Sequence, residues 1–318
     1  MADCSDLFNK FQEEISLNES KKDYLKQARD AIRNRIKNYF IKEKEYIPPK
    51  FWIQGSYKML TIINPLNGEY DIDDGIYLQN INTDDKDNWP KPETVHDWIC
   101  QSVKRHTQEN PIDKRTCVRV IYLGKYHVDL PIYGIFKGET YLAEKGEKGW
   151  HLSNPKALID WFTEQVKQNG DQLRKIVRYF KAWADFQTKS KNKKLPSGLI
   201  LTILATESYE NREKDDATFS RTVRNIYQKI LNSFVIYNPV DKEEIPSDHL
   251  TDTQKEDFKL LIFNLLDSAN QALEENSKKE ACKIWRKEFG ERFTNCDNIE
   301  DKLVTSSPAL IRDDSRSA

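Results

Sequence analysis

From Asp6 to Lys44 apolar residues return every three or four positions: Leu7, Phe8, Phe11 and Ile15, then Leu25, Ala28, Ile32, Ile36 and Phe40. That spacing lays one apolar stripe along a helix. Ser20 is the expected N-cap of a second, long helix, and Pro48-Pro49 closes the stretch. The period then changes. Residues 51–80 read as a turn carrying Gly55-Ser56, a short helix, and a strand through Asp71 and Asp73. Residues 92–108 return to a helical stripe on Val95, Trp98, Ile99 and Val103. Residues 116–123 and 126–136 read as paired strands joined by Gly124-Lys125, and the Gly- and Lys-rich stretch 138–155 as a link. Helical patterns follow at 172–189, 199–209, 219–234, 253–276 and 278–289. The pattern predicts an α+β chain: a lobe of helices and one small sheet over 1–150, a helical lobe over 151–294, and a flexible polar tail over 295–318.

Composition narrows the class. The 318 residues are 38% apolar and 32% charged, with seven Trp, fourteen Tyr and fourteen Phe to fill a core. No apolar run approaches the roughly 20 residues that span a bilayer, and the first residues have neither the basic nor the apolar part of a secretory leader. A cytoplasmic protein is expected. Five scattered cysteines without a C-x-x-C pair read as free thiols in a reducing compartment and speak against structural zinc. Net charge is −1, whereas proteins that chiefly bind duplex nucleic acid carry a basic excess. The basic clusters at 21–44 and 189–194 read as a solvated helix face and a polar loop.

The chemistry lies in three short segments. Asp71 and Asp73, at i and i+2 on a strand, share one face, while Asp74 points the other way and reads as structural. Asp-x-Asp alone is common among solvated turn acids. Here it is flanked by Tyr70 and Ile76-Tyr77-Leu78, and Asp129 sits in an equally apolar run, where an unpaired carboxylate is costly. Three convergent acids with no neutralising base repel one another, and a divalent cation holds them together. Oxygen ligands favour Mg²⁺ or Mn²⁺ over zinc. Upstream, Gly55-Ser56 offers backbone N–H groups and a hydroxyl to a phosphate.

The segments QGSYKMLTIINP, EYDIDDGIYL, HVDLPIYGI, GWHLSNPKALIDWF, LRKIVRYFKAWADFQ with LPSGLILTILA, and ACKIWRKEFGERF together resemble, over residues 50–293, the bacterial cyclic-oligonucleotide synthases. These are nucleotidyltransferases of the cyclic GMP–AMP synthase/dinucleotide cyclase type that serve anti-phage (CBASS) signalling. The resemblance implies a polymerase-β-like nucleotidyltransferase lobe with a mixed sheet, a C-terminal helical lobe, a cleft between them, and a long N-terminal helix bridging both. It implies that Asp71, Asp73 and Asp129 bind two Mg²⁺ (or Mn²⁺) ions and carry catalysis. Gln54, Gly55, Ser56, Lys181 and Ser197 then hold the triphosphate, and Arg119 contacts the nucleotide. ATP and GTP are the implied substrates, joined into a cyclic product. The His/Cys zinc insertion of DNA-sensing relatives is absent, so no obligate DNA activator and no membrane are expected. In related synthases a flexible C-terminus is joined to other molecules by a ubiquitin-conjugation-like partner, and Ala318 is the residue expected to be joined here. The same three acids also suit a linear 2′–5′ oligoadenylate-type synthase or a transferase acting on tRNA or an antibiotic. A catalytically silent scaffold is the remaining alternative. The bases joined, the ring size and the linkages stay open.

Overall fold

The computed structural model describes residues 2–79, 81, 85–123 and 126–299. The N-terminal helical pattern breaks at residues 16–18 into α1 (Ser5–Ile15) and α2 (Glu19–Lys42). Asn18, rather than Ser20, caps α2 by accepting from Lys21 N; Ser20 already lies inside the first turn. The sheet lobe continues through β1 (Lys50–Gln54), α3 (Gly55–Lys58), β2 (Tyr70–Tyr77), α4 (Pro92–Val103), β3 (Ile112–Asp113) and β4 (Val118–Tyr122). It closes with β5 (Tyr126–Leu130), β6 (Ile132–Phe136), β7 (Glu139–Glu144) and β8 (Gly149–Leu152). Helices follow: α5 (Pro155–Asn169), α6 (Gln172–Lys191), α7 (Gly198–Glu207), α8 (Asp215–Asn232), α9 (Asp252–Glu274) and α10 (Lys278–Phe289).

β2 is the axis of the mixed sheet. It runs antiparallel to β1 and parallel to β5 over Tyr70–Asp73, then parallel to β6 at Ile76 and Tyr77. The run 126–136, read from sequence as one strand, divides at Pro131, which has no N–H for the ladder. The ladder crosses the break because the Pro131 carbonyl accepts from Ile76 N at 2.8 Å. The stretch read as a link is in fact the β7–β8 hairpin, which extends the sheet from β6. Tyr141 and Ala143 alternate toward the core there, a pattern diluted in the sequence by Glu and Lys neighbours.

Two apolar cores result. One joins the sheet to α2 and α4, with Ile32, Ile36, Ile72, Ile99 and Val128 fully buried. The other fills the helical lobe, and α1 belongs to it. Phe8 meets Tyr179, Trp285 and Phe293 at ring-centroid distances of 5.1–5.4 Å. Each such fully buried ring stabilises by roughly 1.5–3 kcal/mol. The N-terminal helix pair therefore reaches both cores. A disulfide joins Cys282 to Cys296, because the segment after α10 folds back along it, so these two are not the free thiols expected; Cys4, Cys100 and Cys117 are. Gly124-Lys125, the expected turn, and residues 300–318 of the expected tail, Ala318 among them, lie outside the described residues; at the start of that stretch Cys296 is buried and bonded to α10. No described helix is long and apolar enough to cross a membrane.

Candidate active site

Strand register assembles the acids. Gln54 stands opposite Asp73, Asp73 beside Asp129, and Asp71 beside His127. Alternation sends Asp74 to the other face, where its fully buried carboxylate accepts two bonds from Arg33 of α2, at 2.7 and 2.5 Å. That pair pins α2 to the back of the sheet.

At the end of β1 the chain turns through Gly55 into α3. Gly55 has φ +64°, and a Cβ there would meet Asp73 Oδ2 at 1.9 Å. Glycine is required twice over, by backbone conformation and by contact. Gly55, Ser56, Asp71 and Asp73 form one wall of a cavity of about 530 Å³. Lys181 and Asp185 of α6 form the facing wall, so the cavity lies between the lobes. Lys181 Nζ donates to Thr61 Oγ1 at 3.1 Å. Asp185 accepts from Leu66 N at 2.9 Å and from Arg292 at 2.8 Å, and Arg292 also donates to the Asn64 carbonyl. These bonds tie the loop after α3 to the helical lobe beside the cavity.

The remaining expected residues lie farther from the opening. The Gln54 side chain turns inward and donates to the Tyr133 hydroxyl at 2.9 Å. Ser197 is exposed and caps α7, its side chain accepting from Ile200 N. Asp129 is buried, and Arg119, its cross-strand partner, holds both its oxygens at 2.6 and 2.7 Å. Lys114 Nζ stands 3.8 Å from the same carboxylate. The acids are therefore not without a neutralising base, contrary to the sequence reading. Arg119 supplies it, through a register that linear spacing does not reveal.

Electrostatics separate the three acids. Burial works to raise the Asp71 carboxyl, but His127, then Arg119 and Lys181, hold it below its ordinary value. Burial, reinforced by the charges of Asp71 and Asp129, pushes Asp73 up to about 8. Lys181 falls to about 8, chiefly through burial, against the attraction of Asp71. The protonated Asp73 relieves the repulsion between like charges.

His127 was missed as a site residue. Its Nε2 lies 3.5 Å from Asp71 Oδ2, and one donor atom each from Asp71, His127 and Asp129 fall within 4.8 Å of one another. The available signal was His127-Val128-Asp129, which repeats the i, i+2 spacing of Asp71 and Asp73.

Residues 49–133 match the family described as the nucleotidyltransferase domain of cyclic GMP-AMP synthase DncV-like proteins, and residues 170–302 match the cyclic GMP-AMP synthase C-terminal domain. The chain is similar to the cyclic GMP-AMP synthase of Escherichia albertii, 31% identical over 208 residues; the match covers 62% of this chain and 46% of that protein's length. Against the Vibrio cholerae cyclic GMP-AMP synthase it is 25% identical over 85% of this chain and 73% of that protein. In fold it resembles the crystal structure of Vibrio cholerae DncV cyclic AMP-GMP synthase, with a TM-score of 0.78 and 22% identity over 92% of this chain and 98% of that one. Escherichia coli DncV with 3′-deoxy GTP bound gives a TM-score of 0.75 and 22% identity over 89% and 94%. With one domain match on the sheet lobe and the other on the helical lobe, in family order, the chain belongs to the DncV-like nucleotidyltransferases of the cyclic GMP-AMP synthase type.

Proposed function

We propose that this chain joins two or three nucleoside triphosphates, ATP and GTP, into a cyclic oligonucleotide with release of pyrophosphate, as a signal in anti-phage defence. One observation carries the reading: acids and a Gly-Ser turn on one wall of an interlobe cavity face a half-buried lysine on the other. The residues suit a divalent cation, since carboxylate oxygens cluster beside a buried His127 Nε2 that has no hydrogen-bond partner among the described residues. Asp71, Asp73 and Asp129 would hold two Mg²⁺ or Mn²⁺ ions, which when bound supply charge stabilisation and acidify a ribose hydroxyl.

The chain's own groups do the rest. Gly55 N–H and the Ser56 hydroxyl cradle the terminal phosphates, and Lys181 neutralises charge on the departing pyrophosphate. Arg119 holds Asp129 in place and would contact the nucleotide. The walls of the cavity fix both substrates, so that positioning contributes much of the acceleration. The test is incubation of the chain with each pair of triphosphates and Mg²⁺ or Mn²⁺, with products identified by mass spectrometry and by phosphatase resistance. A phosphatase-resistant ring is expected. Lys181→Ala should raise KM and lower kcat, costing about 1.5–3 kcal/mol for a lost charge-assisted bond. Linear products alone would place the chain with oligoadenylate-type synthases, and condensation only onto an added acceptor would overturn the proposal.

A further inference from the structure

His127 occupies a singular place. It pairs with Asp71 across the parallel β2–β5 ladder and stands two residues before Asp129 on the same strand face. The residue is only 8% exposed. Its Nε2 is buried and, among the described residues, has no hydrogen-bond partner. An ordinary core histidine looks different, and this chain holds one. His96 is fully buried with both ring nitrogens engaged, at 2.7 Å to Asp113 and 3.0 Å to the Ala143 carbonyl. Leaving a buried ring nitrogen unpaired destabilises a fold.

Two roles fit a nitrogen so placed. As a donor in the metal-free protein, Nε2–H would face Asp71 Oδ2, which is how His127 holds that carboxyl below its ordinary value, and would orient the acid. The separation is 3.5 Å, beyond the roughly 2.7–3.2 Å of an N–H···O bond. As an acceptor, the neutral ring would offer its lone pair to the small volume shared with the oxygens of Asp71 and Asp129, all within 4.8 Å. An electron pair aimed at two carboxylates is unfavourable unless a cation lies among them. The second role accounts for the missing bond, the burial and the clustering together.

We infer that His127 Nε2 is a direct ligand of the catalytic divalent cation, giving the site a mixed nitrogen–oxygen donor set that favours Mn²⁺ over Mg²⁺. The inference rests on the nucleotidyltransferase reading and deepens it. Mg²⁺ is small and hard, prefers oxygen donors and gives up water reluctantly, whereas Mn²⁺ accepts imidazole more readily. The chain would then load Mn²⁺ at concentrations where an all-carboxylate site shows little choice.

The experiment uses the full chain with Mn²⁺ alone, without nucleotide, so that no base nitrogen is present. Pulsed electron paramagnetic resonance should show ¹⁴N modulation on bound Mn²⁺, converted to the ¹⁵N pattern when histidine is ¹⁵N-labelled. His127→Gln should abolish the modulation and weaken Mn²⁺ binding by about tenfold or more, with a smaller effect on Mg²⁺. Bound Mn²⁺ without nitrogen modulation in the parent chain would overturn the inference and leave the nucleotidyltransferase reading standing. Modulation that survives in His127→Gln would also overturn it. A parent chain that binds no Mn²⁺ would overturn both. The parent measurement decides the matter even if the variant folds poorly.

Discussion

Asp73→Asn should make the protein more stable while destroying its activity. In the metal-free protein Asp73 titrates at about 8 against an ordinary 3.8, because burial and the charges of Asp71 and Asp129 oppose its ionised form. The sign follows directly. Between those two values the folded chain holds a proton that the unfolded chain has released, so this residue's contribution to stability falls as pH rises from 3.8 toward 8. At about 1.4 kcal/mol per pH unit, the displacement costs the native state on the order of 4 kcal/mol at pH 7. Asp73 is only half-buried and lines the cavity, so solvent screening lowers that figure. Asparagine copies the shape of the protonated acid and cannot ionise. It should therefore add roughly 2–4 kcal/mol at pH 7 and less than half of that at pH 5. The assay is urea unfolding of both proteins in EDTA at pH 5, 6 and 7, followed by tryptophan fluorescence. A variant no more stable than its parent at pH 7, or a difference that does not grow with pH, refutes the electrostatic account. Retained synthesis by the variant refutes the catalytic one.

Two further substitutions test the frame around the site. Gly55→Ala forces a Cβ into a left-handed turn and 1.9 Å from Asp73 Oδ2; it should cost at least about 1–2 kcal/mol and remove product formation, checked by melting curves and product analysis. Arg33→Ala strands the fully buried Asp74 carboxylate and should cost roughly 3 kcal/mol, read from the urea midpoint, with nucleotide KM little changed. Neighbouring aspartates thus respond in opposite directions to loss of charge at their sites.

Much of the site was legible because strands alternate. Asp71 and Asp73 on one face and Asp74 on the other follow from the pleat alone, and the structure has Asp74 paired to α2 as that reading requires. What depended on pairing between distant segments was not legible. The grip of Arg119 on Asp129 needs the β4–β5 register, and sequence gives only two runs and a turn between them. The contact of His127 with Asp71 needs the parallel pairing of β2 with β5, for which neither segment carries a local signal. The β7–β8 hairpin was hidden by composition, since strands at the edge of a sheet tolerate the Glu, Lys and Gly that usually mark a loop. The cysteine reading failed for a related reason: Cys282 and Cys296 meet only because residues after α10 reverse direction.

The position of α1 bears on how the protein is made. Phe8 and Phe11 are made long before Trp285, Phe289 and Phe293, yet they pack against them. Until α6, α8 and α10 have been made this short amphipathic helix has no complete core to enter, while α2, immediately behind it, can dock on the sheet as soon as β2 and β5 are complete. Contacts of such long sequence separation form slowly, and exposed apolar surface is open to misassociation while it waits. The sheet lobe is accordingly the part that matures during translation. The helical lobe, and with it the Lys181 wall of the cavity, becomes complete only once α10 has been made and α1 closes against it.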